Sequence, residues 1–343
     1  MIFHNAELHN ITELVYDPQY NDYQMMRIPH QLKTMIHERA QKASRHCCGC
    51  EIRFRMISDE VTIHLRRTPV PDHVLKTGVM EVYQGDLQGS YQISPPIITT
   101  KPTAIKIRRL DFSNLKLLAE KKGYSYHPEL TRVLLPYDWG CAIQSIDGTI
   151  CPPQKQDVPQ KTLLIYGSSI SHGGNSSTPS GTYAMNLARM LHMDLENMGF
   201  AGSAYMETPV ADYLADKQNW DIALMELGVN VVEQWSVQTF HDTAIRFLDI
   251  IAGKHPHQKI FCTDIFQNHL DFKSGTQTEA FRDCLKSIVT RELDHKNLYY
   301  INGLSMLSDV SGLSSDGLHP ANSGHRQIAE NLYQTITGIL SAQ

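Results

Sequence analysis

The sequence predicts an α/β protein in which a β-sandwich precedes a parallel sheet wrapped in helices. Residues 1–155 read as short alternating strands separated by turns, with few helical patterns. Residues 160–343 alternate continuous apolar runs with amphipathic helical patterns, the rhythm of strands joined by helical crossovers. Between them lies Pro152-Pro153-Gln154-Lys155-Gln156-Asp157-Val158-Pro159-Gln160, proline-rich, polar and aperiodic. That stretch is the expected linker between a 1–155 domain and a 160–343 domain.

In the first half, Ile52, Phe54 and Met56 alternate with charged residues, and Val61, Ile63 and Leu65 do so again after Ser58-Asp59-Glu60. The two runs read as a hairpin. Gly78 to Tyr83, Ala104 to Arg108 and Arg132 to Leu135 are further strands, punctuated by Asp86, Gly89, Pro95-Pro96, Pro102 and Asp147-Gly148. Residues 29–45 and 113–122 read as short helices or irregular excursions.

In the second half, Leu163-Leu164-Ile165-Tyr166 has the continuous apolar character of a strand covered on both faces. Ala184, Leu187, Ala188 and Leu191 fall on one helical face, as do Phe240, Ala244, Phe247, Leu248 and Ile251. Strands follow at Ile222 to Leu227, Lys259 to Thr263 and Leu298 to Ile301. Helices are expected around Thr278–Glu292 and across Ile328, Leu332, Ile336 and Ile339.

Composition narrows the function classes. The 343 residues are 41% hydrophobic and 20% charged, enough for a substantial core. The net charge of −5 divides into +3 over residues 1–155 and −8 over 156–343. Neither half carries the basic field that nucleic-acid binding needs, and the Arg66-Arg67 and Arg108-Arg109 pairs read as solvated strand ends. No apolar run reaches the roughly 18–20 residues of a membrane helix. The opening MIFHNAELHN has polar groups where a signal peptide would be apolar, so a cytoplasmic protein is expected. Seven cysteines without regular spacing suit a reducing compartment. Within His46-Cys47-Cys48-Gly49-Cys50, Cys48 and Cys50 continue the alternation into Ile52, which makes them apolar filler on a strand rather than metal ligands.

Four polar loops carry the chemistry. The first parallel strand ends in Gly167-Ser168-Ser169-Ile170, where strand-end loops line the ligand crevice of such sheets. A serine hydroxyl needs a base to take its proton, and that base needs a partner to fix its tautomer. Ser315-Asp316-Gly317-Leu318-His319-Pro320 offers both: Asp316 can receive one ring N–H of His319 while the other ring nitrogen faces Ser169. Read singly, Asp316 fits better as a helix cap and His319 as a surface histidine. Asn197-Met198-Gly199-Phe200-Ala201-Gly202-Ser203 places glycines where backbone can approach a substrate. Gly228-Val229-Asn230 supplies an amide and backbone N–H groups of the kind an oxyanion hole uses.

In this order the four loops resemble the SGNH hydrolases, or GDSL esterases, across residues 161–343. The resemblance implies a flavodoxin-like domain with Ser169 as nucleophile, His319 as base and then acid, and Asp316 as its orienting partner. It also implies an oxyanion hole of the Ser169 and Gly202 N–H groups with the Asn230 side chain. Two positions depart from the family pattern: Ser168 stands where an aspartate usually precedes the nucleophile, and Val231 where one usually follows the asparagine. A jelly-roll-like β-sandwich ahead of such a domain is similar to two-domain carbohydrate acetylesterases, and Gly78-Val79-Met80-Glu81-Val82-Tyr83 resembles a short motif of N-terminal domains attached to some bacterial SGNH hydrolases.

The expectation is a cofactor-free serine esterase acting on small O-acyl esters, with acetylated carbohydrates as substrate, no nucleic-acid or membrane partner, and monomer or homo-oligomer left open. Because the base must be neutral, activity should fall at acidic pH. A metal-dependent hydrolase is the weaker alternative, since the 17 histidines show no ligand spacing. A sugar-binding protein with an idle site is the other.

Overall fold

The computed structural model describes residues 1–68, 78–90 and 96–342, so Pro95, read above as turn punctuation, lies outside them. Among the described residues, two large antiparallel sheets and a small two-stranded one, Gly78–Val79 with Ile97–Ile98, form the N-terminal half. One large sheet runs in the order Ile2–Phe3, Ala6–His9, Glu51–Met56, Leu130–Leu134, Glu81–Gln84, Leu87–Gln88, with Ile150–Cys151 also pairing to Glu51–Met56. The other runs Thr103–Arg108, Glu60–Thr68, Gly140–Asp147, Asp22–Met26, Glu13–Asp17.

The expected hairpin is therefore corrected. Glu51–Met56 and Glu60–Thr68 do not pair; they belong to different sheets, and Ile57 to Asp59 turn the corner between them. The apolar alternation was real, because Ile52 and Phe54 meet Val61, Ile63 and Leu65 in one core between the sheets. Sequence alternation fixes which face is buried, and both pairing in one sheet and facing across two satisfy it. Cys47, Cys48 and Cys50 are buried as expected, but in the turn ahead of Glu51–Met56 rather than on the strand. Residues 113–122 form a helix, and residues 29–45 hold two short ones, His30–Met35 and Glu38–Ala43.

The C-terminal half is a five-stranded parallel sheet in the order Asp194–Gly199, Thr162–Gly167, Ile222–Glu226, Lys259–Thr263, Leu298–Ile301. With strands numbered along the chain this is the 2-1-3-4-5 order of flavodoxin-like folds, whose ligands bind beside the first strand where the order reverses. Alternate side chains feed two cores. Leu164, Tyr166, Ala223 and Met225 pack under Val210, Leu214, Phe240 and Phe247. Leu163, Ile165 and Leu224 pack under Leu187, Ile328 and Leu332 on the other face. Among the described residues, no helix is long and apolar enough to cross a membrane.

The halves share a packed seam. Ile28, Leu32, Ile36, Ala40 and Ala43 from the N-terminal half join the first of those two cores. Arg53, 1% exposed, forks onto both oxygens of Asp194 at 2.7 Å each and donates to Glu51 at 2.8 Å; Arg132 also donates to Glu51. Burial alone would raise Glu51, but Arg132 and Arg53 hold it at about 2. Arg27 is satisfied by carbonyls alone, those of Ala43 and His46 on one side and Asn197 and Gly199 on the other. The expected linker is tied down as well: Asp157 is fully buried and accepts from the Gln154 N–H at 2.8 Å. Arg66, expected in solvent, is 2% exposed and donates to Asp17 and Asp22, whereas Arg108 and Arg109 are exposed.

Candidate active site

Ser169 opens a single helical turn, Ser169–His172, directly after the strand Thr162–Gly167. Ser168 caps that turn, its hydroxyl accepting from the Ile170 N–H at 3.1 Å. The N–H of Ser169 lies in the first turn, so it has no acceptor within the helix. The following strand passes close beneath: a Cβ on Gly199 would sit 2.6 Å from both the N and Cα of His172. Gly199 therefore admits the Ser169–His172 turn rather than a substrate, which corrects the reading of that glycine. Asn197 to Gly199, read as a loop, is the end of the strand Asp194–Gly199.

The loop before the last helix brings the far motif to the serine. His319 Nε2 lies 2.7 Å from Ser169 Oγ, and His319 Nδ1 lies 2.8 Å from Asp316 Oδ2. Burial pushes the Asp316 carboxyl up, but the Leu318 and His319 N–H groups, the His319 ring and the Ser314 hydroxyl outweigh it and hold the group well below the usual carboxylate range. An ionised carboxylate can only accept, so Nδ1 carries the ring proton and Nε2 presents its lone pair to the Ser169 hydroxyl.

The two remaining loops are tied to each other. Asn230 follows the strand Ile222–Glu226, and its Oδ1 accepts from the Ala204 N–H at 3.0 Å. That bond turns the amide so that its NH₂ group stays available as a donor. Ala204 lies two residues after Gly202, which is exposed in a turn at φ +65°. The helix-capping role offered for Asp316 is not seen, since Ala321 precedes Asn322–Ser341; the helix after Asn230, Val237–Lys254, is capped by Ser236.

Four supporting side chains escaped the sequence reading. Asn175 donates to Asp316 Oδ2 at 2.9 Å and to Ser314 Oγ at 2.7 Å, and Ser314 donates to Asp316 Oδ1 at 2.9 Å. Buried His325 accepts the Tyr183 N–H on Nδ1, so its Nε2–H donates to the Gly174 carbonyl at 3.0 Å; burial lowers the ring to about 4, which keeps it neutral. Glu226 lies beneath Ser168 and Ser171. The available signal for Glu226 was an acid at the end of an otherwise apolar strand, a placement that needs buried partners.

Comparison with known proteins agrees with this architecture. A salicylyl-acyltransferase from a tetracycline biosynthetic pathway, SsfX3, superposes with a TM-score of 0.80 at 15% identity, covering 98% of this chain and 95% of its own. A putative GDSL-like lipase from Bacteroides ovatus gives 0.70 at 19% identity, with 98% of each chain covered. A family two carbohydrate esterase from Clostridium thermocellum, solved with cellohexaose, gives 0.59 at 15% identity over 85% of this chain and 92% of its own. At such identities the likeness establishes the fold. No curated protein sequence matches the chain. A sequence model of the GDSL-like lipase/acylhydrolase family does match, over residues 160–337, and with the parallel sheet and its loops in the family's order the chain belongs to that family as an SGNH-type esterase.

Proposed function

We propose that the chain cleaves small O-acyl esters, O-acetyl groups on carbohydrates above all, through an acyl-enzyme on Ser169. The observation that carries this reading is the unbroken hydrogen-bond line from Asp316 through His319 to Ser169. Ser169 Oγ attacks the ester carbonyl as its proton passes to His319 Nε2, and Asp316 stabilises the imidazolium through Nδ1–H. The oxyanion is met by the N–H groups of Ser169 and Gly202 and by the Asn230 amide. The tetrahedral intermediate collapses, the C–O bond to the alcohol breaks, and His319 returns the proton to the leaving oxygen. Water then attacks the acyl-enzyme, losing its proton to His319, and the acid leaves as the serine is restored. The scheme uses no cofactor.

In this proposal residues 160–343 are the catalytic domain and residues 1–155 a jelly-roll-like accessory domain. The carbohydrate preference draws on the cellohexaose-bound esterase, which shares the fold over most of both chains. A second reading draws on the likeness to the acyltransferase: the same acyl-enzyme handed to an alcohol instead of water.

The test is hydrolysis of p-nitrophenyl acetate, butyrate and octanoate by wild type and Ser169→Ala, with an acetylated xylo-oligosaccharide alongside. Turnover on acetate that falls steeply with chain length and vanishes in Ser169→Ala supports the deacetylase. Turnover surviving in Ser169→Ala removes Ser169 from its role. Ester products formed with an added acceptor alcohol, at the expense of free acid, favour acyl transfer. Oligosaccharide binding without turnover favours a sugar-binding protein with an idle site.

A further inference from the structure

The nucleophile sits on one turn of helix, four residues long. An isolated turn of that length has no stability of its own, so its orientation must come from outside. The outside group is Glu226, 1% exposed at the end of the neighbouring strand. A single oxygen, Oε2, accepts the Ser168 N–H at 2.7 Å and the Ser168 hydroxyl at 2.6 Å, and contacts the Ser171 hydroxyl at 3.0 Å. Ser168 and Ser171 flank Ser169 in the chain, and both are held on the buried side of the turn.

Local space is arranged around this carboxyl. A Cβ on Gly167 would stand 2.6 Å from Glu226 Oε2 and 2.3 Å from Ser171 Oγ, so only glycine lets the carboxyl rise to the turn. Tyr183, fully buried at the start of the next helix, brings its hydroxyl to 2.5 Å from Ser171 Oγ and closes the network on its far side. The other oxygen, Oε1, is buried and has no hydrogen-bond partner among the described residues. A carboxyl kept in a dry site with one oxygen unpaired is costly, which points to a task for the paired one.

We propose that Glu226 is a positioning residue for the nucleophile: by holding Ser168 and Ser171 together on Oε2, it aims the intervening Ser169 hydroxyl at His319. The inference rests on Ser169 being the nucleophile, but not on the identity of the ester.

The test uses the full chain and two readouts. One is kcat and KM on p-nitrophenyl acetate, normalised to active sites. The other is the rate at which a fluorophosphonate labels Ser169, mapped by mass spectrometry, which needs no knowledge of the natural substrate. Glu226→Ala should lower kcat and the labelling rate by about 10²-fold with KM within about twofold, the scale of a misplaced reacting atom. Glu226→Gln keeps an acceptor at Oε and should recover to within about fivefold of wild type. Gly167→Ala, which leaves the carboxyl in place but blocks its approach, should lower both rates in the same way, and it stands in if Glu226→Ala does not fold. Wild-type rates in Glu226→Ala or Gly167→Ala overturn the proposal alone, as does a folded Glu226→Gln no better than Glu226→Ala. A wild type that neither labels at Ser169 nor turns over overturns the esterase reading and this inference with it.

Discussion

Asp316 and Glu226 approach the same serine from two sides, one with a side chain 43% exposed and one buried, and their carboxyls shift in opposite directions. Asp316 receives five donors spread over both oxygens: Leu318 N–H, His319 N–H and the Ser314 hydroxyl on Oδ1, with the Asn175 amide and the His319 ring on Oδ2. Glu226 takes all its hydrogen bonds on one oxygen and leaves the other bare. Burial raises Glu226 to about 7, and its serine donors only moderate the rise, whereas Asp316 is held well below the usual range. Depth and donors act together: full burial outweighs three hydrogen bonds on one oxygen of Glu226, whereas five donors over both oxygens hold the half-exposed Asp316 down.

The largest effect expected from breaking this contrast is at Asp316. Asp316→Asn keeps the shape but lets Nδ1 lose its proton to the other ring nitrogen, and kcat should fall by about 10³–10⁴-fold. A fall of less than tenfold in steady-state turnover would reduce Asp316 to a loop anchor. At the seam, where carboxylates keep their charge through arginine, Arg53→Met strands Asp194 without its fork. Urea unfolding should report a loss of about 3–5 kcal/mol, with kcat of the folded fraction little changed. Equal stability would mean His9 and Tyr126 suffice for Asp194.

Asn230→Ala deletes a proposed oxyanion donor and should cost about 10²–10³-fold in kcat, KM changing far less. Loss in KM alone would make Asn230 a brace for the Gly202 loop. The smallest expected effect concerns the pH dependence of stability. Above the unfolded value near 4.5, native Glu226 holds a proton that the unfolded chain has released, so its contribution falls as pH rises and levels off past about 7. Ser168, Ser171 and, through Ser171, Tyr183 are the groups facing it. The slope amounts to roughly 3 kcal/mol across that window, and Glu226→Gln should remove it from a Tm series between pH 4.5 and 8. A slope unchanged in Glu226→Gln would mean that the wild-type carboxyl is already ionised throughout.

What was legible in the sequence follows from where each residue finds its partners. Leu163 to Tyr166 and Ile260 to Cys262 are buried on both faces by apolar neighbours, so they read as strands on their own. The strand Asp194–Gly199 did not, because Asp194 and Glu196 are paired with Arg53 and Lys217, and Arg53 lies far away in the other half. The motif residues at the strand ends stood out as unusual polar loops. Asn175, Ser314 and Glu226 are ordinary residues whose roles exist only once the loops are folded together. The hairpin failed for a related reason: alternation names the inward face and is silent about the pairing partner.

Arg27 carries a consequence for synthesis on the ribosome. Two of its four carbonyl acceptors, at Asn197 and Gly199, emerge about 170 residues after it. At roughly 5–20 residues per second the cation waits some ten seconds or more without them. The N-terminal sheets can pair in that interval, but their seam-facing side must stay wet until the second parallel strand arrives. A nascent chain arrested before Asn197 should thus be cut readily by protease around residues 27–46, and one released past the last helix should resist.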